Sequence, residues 1–212
     1  MQIERIFYPL ETLGYGKRIG IWLVGCPHRC HLCCNPELQA ADPTKNIELS
    51  AIFSYIESIL KKYKVDGVTI SGGDPFAQPK ELRQLVKWLQ KNSIEDILVY
   101  SGYTLAELRA QKNESIDDIL FNISVLVDGK YVESLNDNRP LRGSSNQVVH
   151  IFNTKYKERY REIIAGESRP IQNIYYEDNL ISFGIPPRDF NKSVCEKLSE
   201  KGVSTKAPQK ND

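Results

Sequence analysis

Four of the chain's five cysteines fall within nine residues, in Gly25-Cys26-Pro-His-Arg-Cys30-His-Leu-Cys33-Cys34. Such crowding suits a metal better than a disulfide framework, and four thiols this close would be an oxidation hazard without one. Cys26, Cys30 and Cys33, spaced by three and two residues, can wrap one face of an iron–sulfur cluster. A cubane takes one thiolate per iron, so three thiolates with no distant partner leave one iron open, and an open iron can bind a small molecule. The plainer chemistry is a structural zinc site made by Cys26, Cys30, Cys33 and one of His28, His31 or Cys34. Zinc favours two separated ligand pairs, and the sequence has no second pair. Adjacent cysteines rarely share a metal, so Cys34 is expected outside the ligand set, with His28 and His31 facing solvent and Cys195 standing apart.

Three further segments could line a site. Ligands of α/β sheets sit at the carboxyl ends of strands, and Ser71-Gly72-Gly73-Asp74-Pro75 follows such a strand. Two residues without Cβ let backbone approach a ligand, and exposed main-chain groups with Asp74 could receive an ammonium. As a plain turn the segment would be unremarkable. Ser101-Gly102-Tyr103-Thr104 and Asp128-Gly129-Lys130 end the next two strands. Each alone reads as a turn or helix cap, and together they outline a rim.

The elements that must position these residues read as an α/β alternation. Arg18 to Val24 is short, apolar and β-branched and leads straight into the cysteines, as a buried strand would. Residues 48–62 place Leu49, Ile52, Phe53, Ile56, Ile59 and Leu60 on one helical stripe. Asp66 to Ser71 predicts a strand, and Gln78 to Gln90 a helix with Leu82, Leu85, Val86 and Leu89 inward. Ile94 to Tyr100, Thr104 to Gln111 and Phe121 to Val127 continue as strand, helix and strand, a rhythm that implies parallel strands with crossover helices. After Val148 to Phe152 the composition shifts to Lys, Arg, Tyr and Glu. The expected division is 1–153 for the cluster domain and 154–212 for a C-terminal extension: a helix over 154–165, a hairpin turning at Glu177-Asp178-Asn179, a helix over 189–201 and a disordered tail from Lys206.

Composition bounds the function classes. The chain has 212 residues, with 28 Lys+Arg against 27 Asp+Glu, long enough for a real core without disulfide staples. Balanced charge argues against a nucleic-acid binder or an anionic-membrane binder. Met1 to Leu10 lacks the pattern of a signal peptide, and no apolar run approaches the roughly 18 residues of a membrane span, so a cytoplasmic location is expected.

Cys26-x3-Cys30-x2-Cys33 followed by Ser71-Gly72-Gly73-Asp74-Pro75 resembles the radical S-adenosylmethionine superfamily. Ser101 to Leu108, Val125 to Tyr131 and Leu141 to His150 are similar to the activating proteins of anaerobic (class III) ribonucleotide reductases, with the likeness running from about Tyr8 to His150. The resemblance implies an incomplete, open (β/α) barrel. It implies one [4Fe-4S] cluster on Cys26, Cys30 and Cys33, with S-adenosylmethionine chelating the open iron. By position, Ser71, Gly72, Gly73 and Asp74 match the element receiving the methionyl ammonium, and Leu32, Cys33 and Cys34 match the segment beside the nucleoside. Ser101, Tyr103, Asp128 and Lys130 match rim positions near ribose and carboxylate. The family generates a glycyl radical on the anaerobic ribonucleoside-triphosphate reductase, using no protein general acid or base, with flavodoxin or a similar low-potential protein as donor. A homodimer is left open.

Two features depart from the family. Cys34 stands where an aromatic residue is usual, and the segment from Phe152 to Asp212 lies beyond the typical end, either as a partner surface or as cover for a sheet edge. The alternatives are a radical enzyme acting on another peptide or a small molecule, and a non-enzymatic zinc-bound interaction module.

Overall fold

A computed structural model describes residues 1–176, 179–188, 190–200 and 202. The expected hairpin turn at Glu177 and Asp178 and the expected disordered tail lie outside the described residues. Six strands form one sheet in sequence order: β1 (Ile3–Leu10), β2 (Arg18–Leu23), β3 (Gly67–Gly72), β4 (Ile97–Tyr100), β5 (Val125–Asp128) and β6 (Val148–Ile151). β2 to β5 are mutually parallel, with Arg18 opposite Gly67 and Leu23 opposite Gly72 at the two ends of the first pairing. Both edge strands run antiparallel, β1 on β2 and β6 on β5. The expected parallel sheet is therefore mixed at its edges, because β1 and β6 join their neighbours without a crossover helix.

Strand alternation assigns each side chain to a face. Ile19, Ile21 and Leu23 of β2, Val68 and Ile70 of β3, and Ile97 and Val99 of β4 face one helical layer. That layer is α1 (Leu49–Lys62), α2 (Pro79–Lys91), the short α3 (Leu105–Ala110) and α4 (Glu114–Asn122). Ile52 and Ile56 of α1 and Leu82, Leu85 and Leu89 of α2 are essentially inaccessible to solvent. α4 was not expected. It occupies the polar stretch before β5, turning Ile116 and Ile119 inward, while Phe121, expected in a strand, sits on it 88% exposed.

The second face of the sheet is buried too, which explains why the central strands read as continuous apolar runs. Over β4, β5 and β6 lie Tyr156 and, from α5 (Lys157–Ala165), Tyr160. Over β1 and β2 lies a hairpin of β7 (Gln172–Tyr176) and β8 (Asn179–Phe183). Phe183 stacks on Phe7 at 4.1 Å between ring centroids and tilts against Trp22 at 5.1 Å. Gln172 Nε2 donates to Pro9 O (2.8 Å) and its Oε1 accepts from Glu11 N–H (3.1 Å), pinning the hairpin to the end of β1. α6 (Phe190–Glu200) follows.

At the amino-terminal ends of the strands Arg18 is completely buried. Its guanidinium donates to Asp96 Oδ2 (2.9 Å), Thr69 Oγ1 (2.7 Å) and Val68 O (2.7 Å), and Tyr160 Oη donates to Asp96 Oδ1 (2.7 Å). The buried charge is thereby both paired and hydrogen-bonded, the condition under which burial is tolerated. Among the described residues no helix is long and apolar enough to cross a membrane.

Candidate cofactor site

The cysteines leave the sheet at the carboxyl end of β2. Gly25, with φ of 98°, turns the chain, and two backbone bonds close the base of the loop: Gly25 N–H to Leu38 O (2.8 Å) and Cys26 N–H to Gln39 O (2.9 Å). Arg29 and Leu32 adopt φ of 47° and 55°, left-handed conformations that cost a residue with Cβ energy unless the surroundings hold them. The two reversals curl the loop, and Leu32 is left 53% exposed beside Cys33. Cys26, Cys30 and Cys33 are each partly buried and free of disulfides.

Burial pushes the Cys26 and Cys30 thiols up, and at Cys30 the backbone N–H of Tyr131 and the Lys130 charge work the other way. Cys33 is lowered to about 6, chiefly by the hydrogen bond from the Cys34 thiol and then by Asn35 N–H and Gln39, against burial. The same pairing drives the Cys34 thiol well up, although Cys34 as a residue is exposed. Among the described residues no three His, Cys, Asp or Glu side chains converge as they would on one metal ion. A cubane gives each thiolate its own iron, so three cysteines spread around one curled, partly open loop suit a cluster better than zinc.

The glycine pair is built against this loop. Gly73 N–H donates to Leu23 O (2.7 Å) and Asp74 N–H to Gly25 O (2.8 Å). A Cβ on Gly72 would lie 2.3 Å from Leu23 N and O, and one on Gly73 would lie 2.3 Å from Gly25 O. The close approach that these residues permit is therefore to the backbone that launches the cysteines.

Asp74 differs from expectation in the same sense. Its carboxylate is inaccessible to solvent and accepts bonds from His28 Nε2 (2.8 Å), Phe76 N–H (2.8 Å), Ser101 Oγ (3.1 Å) and Gly102 N–H (2.8 Å). It cannot face an incoming ammonium while so engaged. His28, expected toward solvent, has a side chain only 5% exposed. It packs edge-on to Tyr103, ring centroids 4.3 Å apart, over Gly102, where a Cβ would stand 2.3 Å from its ring. His31 is exposed as expected.

The remaining rim residues divide. Ser71, Gly72 and Gly73 at the end of β3, and Ser101 and Tyr103 after β4, gather around the cysteine loop through Asp74 and His28. The charge of Lys130 is felt at the Cys30 thiol. Asp128 is 4% exposed and is spent on Leu105 N–H at the start of α3, Val148 N–H and His150 Nε2 (2.9 Å), which makes it a cap rather than a free rim group. Cys195 lies on α6. Gln78 escaped the sequence reading. Its Nε2 donates to Val24 O (3.0 Å) and Gln2 O (3.1 Å), bracing the start of the loop, and nothing local in the sequence marks it.

This cysteine loop on a parallel-rich sheet defines an iron–sulfur class, and residues 12–150 match the family model described as a 4Fe-4S single cluster domain. The anaerobic ribonucleoside-triphosphate reductase-activating protein of Escherichia coli K12 is 36% identical over 154 residues, which is 68% of this chain and 95% of that protein. Its counterpart in Pasteurella multocida is 32% identical over 160 residues, 71% of this chain and 97% of that protein. The chain belongs to this family of activating proteins. A solved structure, QueE from Escherichia coli, aligns with a TM-score of 0.38 and 23% identity over 48% of this chain and 52% of its own, too slight a likeness to carry an argument.

Proposed function

We propose that the chain is a radical S-adenosylmethionine activase whose protein substrate is an anaerobic ribonucleoside-triphosphate reductase. The carrying observation is the loop that leaves β2, which holds Cys26, Cys30 and Cys33 as partly buried free thiols and whose launching residues Leu23 and Gly25 bond to Gly73 and Asp74. In this reading the three thiolates hold a single [4Fe-4S] cluster, and Cys34 is a neighbour of the ligands outside the set. When bound, the cluster supplies one electron that splits S-adenosylmethionine to methionine and a 5′-deoxyadenosyl radical, which takes a hydrogen atom from a glycine Cα of the reductase.

The protein's part is to bind, orient and exclude water. Backbone groups of Ser71, Gly72 and Gly73 receive the methionyl ammonium, while Asp74 acts through His28, Ser101 and Gly102 to hold the rim in place. Leu32 offers an apolar face to the nucleoside, and Tyr103 and Lys130 border the ligand. No side chain is assigned as a general acid or base.

The open six-stranded sheet, with α1 to α4 on one face, fits the incomplete (β/α) barrel of radical enzymes. Residues 1–153 carry the cofactor chemistry and 154–212 are a C-terminal extension, of which α5 and the β7–β8 hairpin cover the second face of the sheet, with a flavodoxin-like donor delivering the electron in the cytoplasm. The test is anaerobic reconstitution with iron, sulfide, S-adenosylmethionine and a candidate reductase. A glycyl radical signal in electron paramagnetic resonance is expected, as is loss of cluster iron in each of Cys26→Ala, Cys30→Ala and Cys33→Ala but not in Cys34→Ala. A colourless wild-type protein that retains only zinc would refute it.

A further inference from the structure

Asp128-Gly129 and the segment Leu141 to His150 meet in one buried amide. Gln147 is 9% exposed, and its side chain makes three bonds to backbone. Its Nε2 donates to Gly129 O (2.7 Å), and its Oε1 accepts from Gly143 N–H (2.7 Å) and Ser144 N–H (3.2 Å). Gly129 follows β5 with φ of 100°, a conformation that glycine adopts without the cost a Cβ would bring. The same freedom means that outside bonds must hold it in one conformation. Gln147 holds its carbonyl, and its N–H donates to Tyr103 O (3.1 Å).

From Tyr103 the contacts run into the cysteine loop. Tyr103 N–H donates to Ser101 Oγ (3.1 Å), and the Tyr103 ring stands edge-on to His28, with ring centroids 4.3 Å apart. His28 lies between Cys26 and Cys30 in the chain, and its Nε2 is bonded to Asp74 Oδ2 (2.8 Å). Each step from Gln147 to the loop, through Gly129 and Tyr103 to His28, is thus a hydrogen bond or a ring contact. The far end of the path is anchored from the C-terminal extension. Arg169, between α5 and β7, is 9% exposed, and its Nη2 donates to Gly143 O (2.9 Å) and Asn136 Oδ1 (2.9 Å) while its Nη1 donates to Pro186 O (3.0 Å). Gly143 is therefore held on both sides, by Gln147 at its N–H and by Arg169 at its oxygen.

We propose that Gln147 is a positioning residue for the cofactor site: it fixes the Gly129 backbone, which holds Tyr103 against His28 and so sets the cysteine loop against the rim that follows β4. The inference rests on the radical S-adenosylmethionine reading and gives the segment Leu141 to His150 a part in it. Gln147→Met keeps the length of the side chain and removes all three bonds. Gln147→Glu keeps the two accepted bonds and sets a second oxygen against Gly129 O. Tyr103→Leu leaves the backbone oxygen in place and removes the ring from His28.

The experiment uses the full-length protein. Amide exchange at Gly129 is read on the cluster-free chain; iron content, the spectrum of the reduced cluster with and without S-adenosylmethionine, and the KM and kcat of its cleavage by dithionite are read after anaerobic reconstitution. Both Gln147 variants should keep iron. Exchange at Gly129 should quicken by about fivefold or more, the scale set by one net hydrogen bond, while β3 and α2 stay unchanged. KM should rise with little change in kcat, and the spectrum with S-adenosylmethionine should shift. Tyr103→Leu should raise KM on its own, and adding Gln147→Met to it should raise KM no further, the non-additivity of residues acting along one path. Unchanged exchange at Gly129 overturns the proposal, as does faster exchange with wild-type KM and spectrum, which would make Gln147 a purely structural brace. Additive effects of the two substitutions, or a wild-type KM in Tyr103→Leu, overturn it as well. Should Gln147→Met fail to fold, Gln147→Glu decides by the same criteria. A wild-type protein that assembles no cluster refutes instead the cluster reading, since the exchange at Gly129 does not depend on it.

Discussion

Asp74→Asn perturbs the site at its most heavily bonded side chain without changing its size. Oδ2 of Asp74 accepts from His28, Ser101 and Gly102 N–H, and Oδ1 accepts from Phe76 N–H. An amide nitrogen at either position meets a backbone N–H head-on, so rotating the amide brings no relief. One charge-assisted bond is lost, worth about 1.5–3 kcal/mol, and one buried donor is left unsatisfied at about 1–3 kcal/mol. The expected loss is about 3–5 kcal/mol, a large share of the roughly 5–15 kcal/mol that holds a domain together. For a chain of this length that lowers Tm by about 6–20 °C. The assay is anaerobic thermal and urea unfolding of the cluster-free protein, where no ligand contributes. A variant within about 1 kcal/mol of wild type that nevertheless binds S-adenosylmethionine weakly would refute the reasoning and return the carboxylate to direct ligand contact.

Three further outcomes follow from named contacts. Gly102→Ala sets a Cβ 2.3 Å from the His28 ring, and overpacking of this kind costs about 1–3 kcal/mol; urea unfolding checks it, and pairing it with His28→Ala should recover most of the loss. Tyr100 Oη is buried with no partner, so Tyr100→Phe should be neutral or stabilising in the cluster-free chain, and a clear drop in its urea midpoint would mean the hydroxyl is bonded after all. A chain ending at Asn153 loses Tyr156, Tyr160 and Phe183, which are 6%, 0% and 3% exposed. At about 1.5–3 kcal/mol each that loss approaches the stability of the domain, so the truncated chain should aggregate; a soluble, cooperatively unfolding product would show that the sheet's second face tolerates exposure.

The cysteine spacing, the glycine pair and the helical stripes of α1 and α2 were legible in the sequence because each is local: ligands of one loop, or residues repeating every three to four positions along one helix. β2, α1, β3 and α2 lie within a residue or two of where periodicity put them. The misses have physical reasons as well. α4 hid because its two inward isoleucines are set among Asp, Glu and Asn, with exposed Phe121 blurring the stripe. β1 and β6 gave no sign of direction, since antiparallel or parallel pairing is settled by how the chain returns to the sheet. The roles of Asp74, His28 and Arg169 were out of reach of any local pattern. Asp74 and His28 are 46 positions apart, and Arg169 lies 33 from Asn136. A hydrogen bond depends on ångström distances that only the packed sheet sets. The sequence alone determined which atoms could hold a cluster. The tertiary structure decided that the acidic residue of the glycine motif braces the cysteine loop, and that the C-terminal segment covers the second face of the sheet, where Trp22 and Leu98 would otherwise meet water.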